Sequence, residues 1–158
     1  MAGDHQSVYD SVMAPRAEGP NVRHTVPFFG VRDIDASLRF YEGGLGFVRM
    51  REWIPEGRVR WCWLELGSVA LMLQEFWKDG RRGGGPSDPL GQGLSICFIC
   101  ADALAIYHGA IARGLTASTP FVGNQMWVTS LLDPDGYRLE FESPTDVREG
   151  TRYSNQTR

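Results

Sequence analysis

Two stretches of the chain repeat one pattern of apolar and polar positions. In the first, the apolar run Thr25–Val31 reads as a strand. Asp33 follows as a helix N-cap, and Ile34, Leu38 and Tyr41 recur at helical spacing. Gly43, Gly44 and Gly46 predict the end of that helix. Three extended runs come next, Phe47–Trp53, Val59–Leu66 and Val69–Phe76. Turn residues separate them at Pro55-Glu56-Gly57 and Gly67-Ser68. The second stretch opens with the strand Leu94–Cys100. Asp102 caps a helix whose apolar side holds Ala103, Ile106, Tyr107, Ala110 and Ile111, and Gly114 ends it. Extended runs follow at Leu115–Val122, Met126–Leu132 and Tyr137–Glu142, with Asp133-Pro134-Asp135-Gly136 as the turn before the last.

Each stretch is therefore a βαβββ unit, and matching order in both halves marks an internal repeat. The predicted organisation is a tail over 1–20, a single domain over 21–143 and a polar tail over 144–158. Within the domain, one module spans 22–77 and the second spans 93–143. The Gly/Pro-rich stretch 78–92 links them. It lacks the Gly-Lys-Ser/Thr ending of a phosphate loop, which argues against nucleotide phosphate as its ligand.

Composition narrows the function classes. Of 158 residues, 42% are hydrophobic and 22% charged, so the chain can bury a core. Sixteen Lys plus Arg face 19 Asp plus Glu, a net charge of −3, which argues against a nucleic-acid binder and a polybasic membrane anchor. Lys78 is the only lysine, so the cationic groups are nearly all arginine. No apolar run approaches the ~20 residues of a membrane span. The start shows no secretory pattern, so a cytoplasmic location is expected. Three cysteines, Cys62, Cys97 and Cys100, suit a reducing compartment. Cys97 and Cys100 form a C-x2-C inside an apolar run, with no second pair, and read as small buried hydrophobes.

The stretch Val31-Arg32-Asp33-Ile34-Asp35-Ala36-Ser37-Leu38-Arg39-Phe40-Tyr41, then Gly44-Leu45-Gly46-Phe47, resembles the first-module signature of the vicinal oxygen chelate superfamily. That superfamily includes glyoxalase I, extradiol dioxygenases and bleomycin-resistance proteins. Leu132-Asp133-Pro134-Asp135-Gly136-Tyr137-Arg138-Leu139-Glu140-Phe141 resembles its closing signature. The resemblance implies an α+β fold in which two βαβββ modules form a half-open, curled β-barrel cup with helices outside. It implies a ligand in that cup and, in the metalloenzymes, a divalent ion bound from the first and last strands of each module.

Carried onto this chain, the four ligand positions are Val26, Met72, Ser95 and Glu140. Valine cannot coordinate, a thioether suits a hard ion poorly and a serine hydroxyl is weak. No cofactor is therefore expected, with a divalent metal held by a shifted set, His24, Gln74 and Glu140, as the alternative. Glu140 itself has two readings, a general base or a carboxylate held by partners or solvent. His5 and His108 read as surface residues.

Five tryptophans add a second clue: Trp53, Trp61, Trp63, Trp77 and Trp127. Trp61 and Trp63 share one strand face. With Phe28, Met72, Gln74, Ser95 and Trp127 they are the expected ligand-binding residues of an apolar, aromatic-lined pocket; core packing or a dimer contact is the other reading of these rings. Arg49, Arg51 and Arg60 alternate on strands and could reach a ligand anion, with solvated faces as the favoured reading. The expected function is a metal-free small-molecule binding protein of the bleomycin-resistance type, a homodimer holding an apolar or planar ligand in the cup or dimer cleft. The alternative is a lyase, isomerase or dioxygenase of the superfamily that uses Glu140.

Overall fold

The structure, a computed structural model, describes residues 7–14, 20–78, 81–82 and 85–154. Chain contacts divide it into two compact units. The first is Met1–Leu38 with Gly46–Gly85, and the second is Arg39–Leu45 with Pro86–Arg158.

The first unit opens with a short helix α1 (Val8–Met13), followed by strand β1 (Phe28–Val31) and helix α2 (Ile34–Leu38). Asp33 caps α2 through its Oδ1, which accepts the amides of Asp35 and Ala36 at 3.0 and 3.2 Å. Strands β2 (Val48–Trp53), β3 (Trp61–Leu66) and β4 (Val69–Glu75) complete a sheet of order β1-β4-β3-β2. β1 runs parallel to β4 with Phe28 opposite Met72 and Gly30 opposite Gln74; the other pairs are antiparallel. One face carries Phe29, Val31, Cys62, Leu64, Leu71 and Leu73. All are buried, and Ile34 and Leu38 of α2 are buried with them. The core is the apolar parity of each strand joined to the apolar stripe of one helix. A small hairpin, β5 (Trp77–Lys78) with β6 (Arg81–Arg82), follows the sheet.

The second unit repeats the plan. Strand β7 (Ser95–Ile99) leads to helix α3 (Ala103–Ala112), then β8 (Phe121–Gly123), β9 (Met126–Leu132) and β10 (Arg138–Pro144), in sheet order β7-β10-β9-β8. Asp102 caps α3 by accepting the Ala105 amide at 2.9 Å. Phe98, Val122, Leu131, Leu139 and Phe141 are buried on one face, with Ala103 and Ala110 of α3. The Phe98 and Phe141 rings stack at 4.8 Å. Thr129 and Ser143 are polar yet buried, and both are satisfied by the start of α3: Thr129 Oγ1 donates to the Ala103 carbonyl at 2.7 Å and Ser143 Oγ accepts the Ala103 amide at 2.9 Å.

The predicted repeat is present, with local differences. The first strand begins at Phe28, not Thr25. The helix after Asp33 does not stop at Gly43. It continues as a π-helical segment, Arg39–Leu45, and ends where Gly46 adopts φ +83°. That segment clusters with the second unit: Tyr41 is fully buried and its hydroxyl donates to Asp133 Oδ2 at 3.0 Å. Gly44 lies so close to Leu115 that an added Cβ would sit 2.5 Å from Cδ1. The stretch 1–20, read as a tail, contains α1. The stretch 144–158, also read as a tail, returns to β8: Arg152 bridges Phe121, and the Tyr153 amide donates to the Pro120 carbonyl at 2.8 Å. Likewise the 78–92 linker contains β6, and Leu115–Val122 forms only the short β8 with a bridge from Ala117 to Leu131. His5 lies outside the described residues, and His108 is exposed on α3 as expected.

Asp133 organises the turn before β10. Its Oδ1 accepts the amides of Asp135 and Tyr137, both at 2.9 Å, while Oδ2 takes the Tyr41 hydroxyl. Burial, then the Asp133 charge and hydrogen bond, drive the Tyr41 hydroxyl far above its ordinary pKa, so it remains a donor. Tyr41→Phe removes one donor from a buried carboxyl. It is expected to lower unfolding stability by about 1–3 kcal/mol, measured by urea denaturation, without changing the far-UV spectrum.

Candidate functional site

The face of the first sheet opposite α2 holds the chemistry. Because directly paired residues share a face, Phe28, Met72, Trp63 and Arg51 form one row, and Gly30, Gln74, Trp61 and Trp53 form the next. Phe28 and Trp53 on this face, and Trp77 on the hairpin that follows the sheet, are large exposed hydrophobics. At the β1–β4 edge of this sheet an open cavity of about 360 Å³ is lined by Phe28, Gly30, Gln74, Glu75, Phe76 and Trp77. Gly30 is required there. The Phe76 ring lies over it, and a Cβ would meet the ring at 2.5 Å.

A buried ion network borders the cavity. Glu75, 2% exposed, receives Arg60 Nη1 on Oε2, and Arg58 Nη2 at 3.2 Å on Oε1. Arg58 also reaches Asp35 at 2.9 Å. The Arg60 guanidinium stacks on the Trp77 ring, 3.8 Å from its centroid, and so fixes one wall of the cavity. Arg60 was expected to be solvated. It is buried because Glu75, on the core parity of β4, needs a cation to be tolerated there. The Nε atoms of Arg58 and Arg60 are buried without hydrogen-bond partners, so the network is held by its outer nitrogens alone.

Helix α1 lies on the same sheet face. Glu65, buried, is its anchor: Oε1 accepts the Tyr9 amide at 2.7 Å, the Ser7 hydroxyl at 3.0 Å and Trp63 Nε1 at 2.8 Å, and Oε2 accepts the Val8 amide at 3.2 Å. Burial alone would raise the Glu65 pKa, but these donors outweigh it and hold the carboxyl below its ordinary range. The Tyr9 ring meets Trp63 edge to face at 5.2 Å, and Arg51 lies over Tyr9 at 4.6 Å. Arg23 holds the other end of the helix, donating to the carbonyls of Ala14 and Val12 at 2.9 and 3.2 Å.

In the second unit, the face opposite α3 is polar. Glu140 pairs with Cys97 on one side and Ser130 on the other, and Ser130 Oγ donates to Glu140 at 3.4 Å. Cys97 is exposed, not buried as its apolar neighbours suggested, because its parity is that of Glu140 and Glu142. Partial desolvation, then the hydrogen bond and charge of Glu142, then the charge of Glu140, push its thiol up to about 12. It stays a protonated, weak nucleophile at neutral pH.

The expected site residues divide accordingly. Phe28, Trp61, Trp63, Met72 and Gln74 do share one face, although Trp63 is covered by α1. Ser95 and Glu140 share a face of the second sheet, but Ser95 stands opposite Arg138, and Cys97 is the partner of Glu140. Trp127 is not on that face. It stands opposite Ser143 on the α3 side, where its ring meets Tyr153 at 6.1 Å. Strand parity decides this: Trp127 and Glu140 differ by an odd step once β9 and β10 are in register. Val26 and His24 precede β1, so their expected strand alternation does not apply. His24 is exposed, and Gln74 is paired instead with Gly30.

Val26, Met72, Ser95 and Glu140 do not fit a hard divalent cation, since only the last is a competent donor. Among the described residues no group of three or more His, Cys, Asp and Glu is placed to hold a metal ion. Glu65, Glu75 and Arg60 were missed as a set. The available signal was two carboxylates inside otherwise apolar strands, a placement that demands partners.

The sequence model described as Glyoxalase/Bleomycin resistance protein/Dioxygenase superfamily matches residues 21–141. Comparison with curated protein sequences finds no match. Among solved structures, the chain is similar to a bleomycin resistance determinant encoded on the transposon Tn5 (23% identity, 78% of this chain and 98% of that one, TM-score 0.59). It is similar to TnmS3, an antibiotic binding protein from Streptomyces sp. CB03234 (19%, 80% and 100%, TM-score 0.59). It is also similar to a lactoylglutathione lyase from Agrobacterium tumefaciens (15%, 79% and 96%, TM-score 0.57). At these identities the likeness shows a shared fold. No described helix is long and apolar enough to cross a membrane.

The Glu65 anchor has a pH signature. Its carboxyl is held low when α1 is docked, so its contribution is full above the ordinary carboxylate pKa and is lost as pH falls through the lowered one. Asp10 and Arg51 are the neighbouring charges, 3.4 Å apart and exposed. Protection of the Val8 and Tyr9 amides from hydrogen exchange is expected to persist into the ordinary carboxylate range and to fail only below it. Glu65→Gln should remove that step.

Proposed function

Because the chain belongs to the Glyoxalase/Bleomycin resistance protein/Dioxygenase superfamily, we propose that it is a metal-free binding protein for an apolar or planar small molecule. The observation that carries this reading is the aromatic row beside the cavity of the first sheet. Phe28 and Trp77 stand exposed on its walls, Trp61 and Met72 continue the same face, and Gln74 offers one amide to orient a ligand. The donor set at the family's metal positions supports binding over metal chemistry. The Tn5-encoded bleomycin resistance determinant and the antibiotic binding protein TnmS3 are relatives in fold whose names describe binding or resistance. We place the protein in the cytoplasm as a homodimer.

A second reading is an enzyme with Glu140 as general base. It draws on the position of Glu140, which is half-buried on an exposed polar face beside Ser130, and on the lyase relative. Glu140→Gln separates the two. A binding protein keeps its ligand affinity in that variant. A Glu140-dependent enzyme loses turnover by about 10²–10⁴-fold while still binding.

A panel of planar aromatic compounds tests the first reading. A ligand at a hundred times its Kd is expected to raise unfolding stability by about 2.7 kcal/mol and to shift tryptophan fluorescence. Phe28→Ala should weaken that ligand by about tenfold, because it removes one wall of the cavity. No thermal or fluorescence response across the panel would sink the reading.

A further inference from the structure

Helix α1 precedes the stretch matched by the family, residues 21–141. It has six residues, too few to be stable alone in water. Its order therefore comes from the sheet face on which it lies. There Glu65 takes three donors from the helix start, the Ser7 hydroxyl and the amides of Val8 and Tyr9, and Trp63 takes the edge contact with the Tyr9 ring. A buried carboxylate beside an indole is an expensive thing to keep in a strand of otherwise apolar residues. Trp63 Nε1 supplies one donor, so whatever covers Glu65 in place of water must bring further donors of its own.

The geometry points to α1 as an internal competitor: it fills a subsite made by Glu65 and Trp63, and that subsite, once vacated, takes a planar aromatic ligand bearing N–H donors or a positive charge. The chemistry of the occupant defines the class. Any replacement must supply N–H or O–H donors to Glu65 and a ring to Trp63, as the Ser7 hydroxyl, the Val8 and Tyr9 amides and the Tyr9 ring do. An anionic ring would meet the Glu65 charge and be rejected. Arg51, stacked on Tyr9 and paired with Asp10 at 3.4 Å, is released to solvent when the helix leaves, at little cost because both charges are exposed. Ligand affinity is then reduced by the fraction of molecules in which α1 is docked. This inference rests on reading the first sheet's face as the ligand face.

Proflavine, a planar cation with amino donors, is the probe. Its affinity for the full chain is measured by its own fluorescence in the wild type, Tyr9→Ala, Ser7→Ala and Glu65→Gln. Hydrogen exchange at residues 7–13 is followed in parallel. Tyr9→Ala and Ser7→Ala are expected to tighten proflavine by about tenfold each. Wild-type amides 8 and 9 are expected to exchange faster when proflavine is bound. Glu65→Gln should weaken proflavine even though it also loosens α1, because it removes the carboxylate that proflavine's donors and charge take. If proflavine binds but the Tyr9 and Ser7 variants do not tighten it and exchange is unchanged, α1 is no competitor. That result overturns the inference and leaves the binding function standing. If proflavine binds to none of the proteins, the assigned ligand class is wrong, and the thermal panel of aromatic compounds then judges the binding function by itself.

Discussion

The parallel pairing of each unit's first strand with its last is the constraint on which the rest depends. β1 beside β4 and β7 beside β10 need a helical crossover, and α2 and α3 supply it. Once Phe28 is set opposite Met72, and Cys97 opposite Glu140, every side chain in the two sheets has its face assigned. A slip of one residue would send Leu71, Leu73 and Glu75 to the aromatic face and Met72 and Gln74 into the core. The apolar parity resists this by burying its whole set under α2, and in the second unit under α3.

Carboxylates show what that assignment demands. Glu75 falls on the core face and recruits Arg60 and Arg58. Glu65 falls on the aromatic face and recruits α1. Glu140 falls on the polar face of the second sheet, half-buried, with the Ser130 hydroxyl at 3.4 Å. The same residue type thus becomes a structural charge, a docking anchor or a chemically available group. Burial and the donors within reach make the difference. The Arg60–Trp77 stack ties the first of these to the cavity, so the wall of the candidate site is held by the core's own electrostatics.

Much of the fold was legible because it is written in local signals. Asp33 and Asp102 cap helices as expected, Gly46 and Gly114 adopt positive φ at helix ends, and Asp133–Gly136 closes a turn. Less of the site was legible. Phe28, Trp61, Met72 and Gln74 were grouped by strand parity, which survives to the structure. Trp127 was misplaced because its facing depends on the register of β9 against β10, a pairing no local pattern specifies. Helix α1 was missed because six residues are too few to establish a helical period, although Val8, Tyr9, Val12 and Met13 stand at helical spacing.

Hydrophobic alternation, caps and turn residues, acting over a few positions each, by themselves determined that the chain makes two βαβββ units, and the side chains carried by each strand. Only the tertiary structure decided that residues 39–45 cluster with the second unit through Tyr41 and Asp133, that Arg60 is buried, and that the start of the chain lies on Glu65. Those outcomes join residues far apart in the chain. They are settled by which buried polar group finds a partner in space, and no local pattern holds that information.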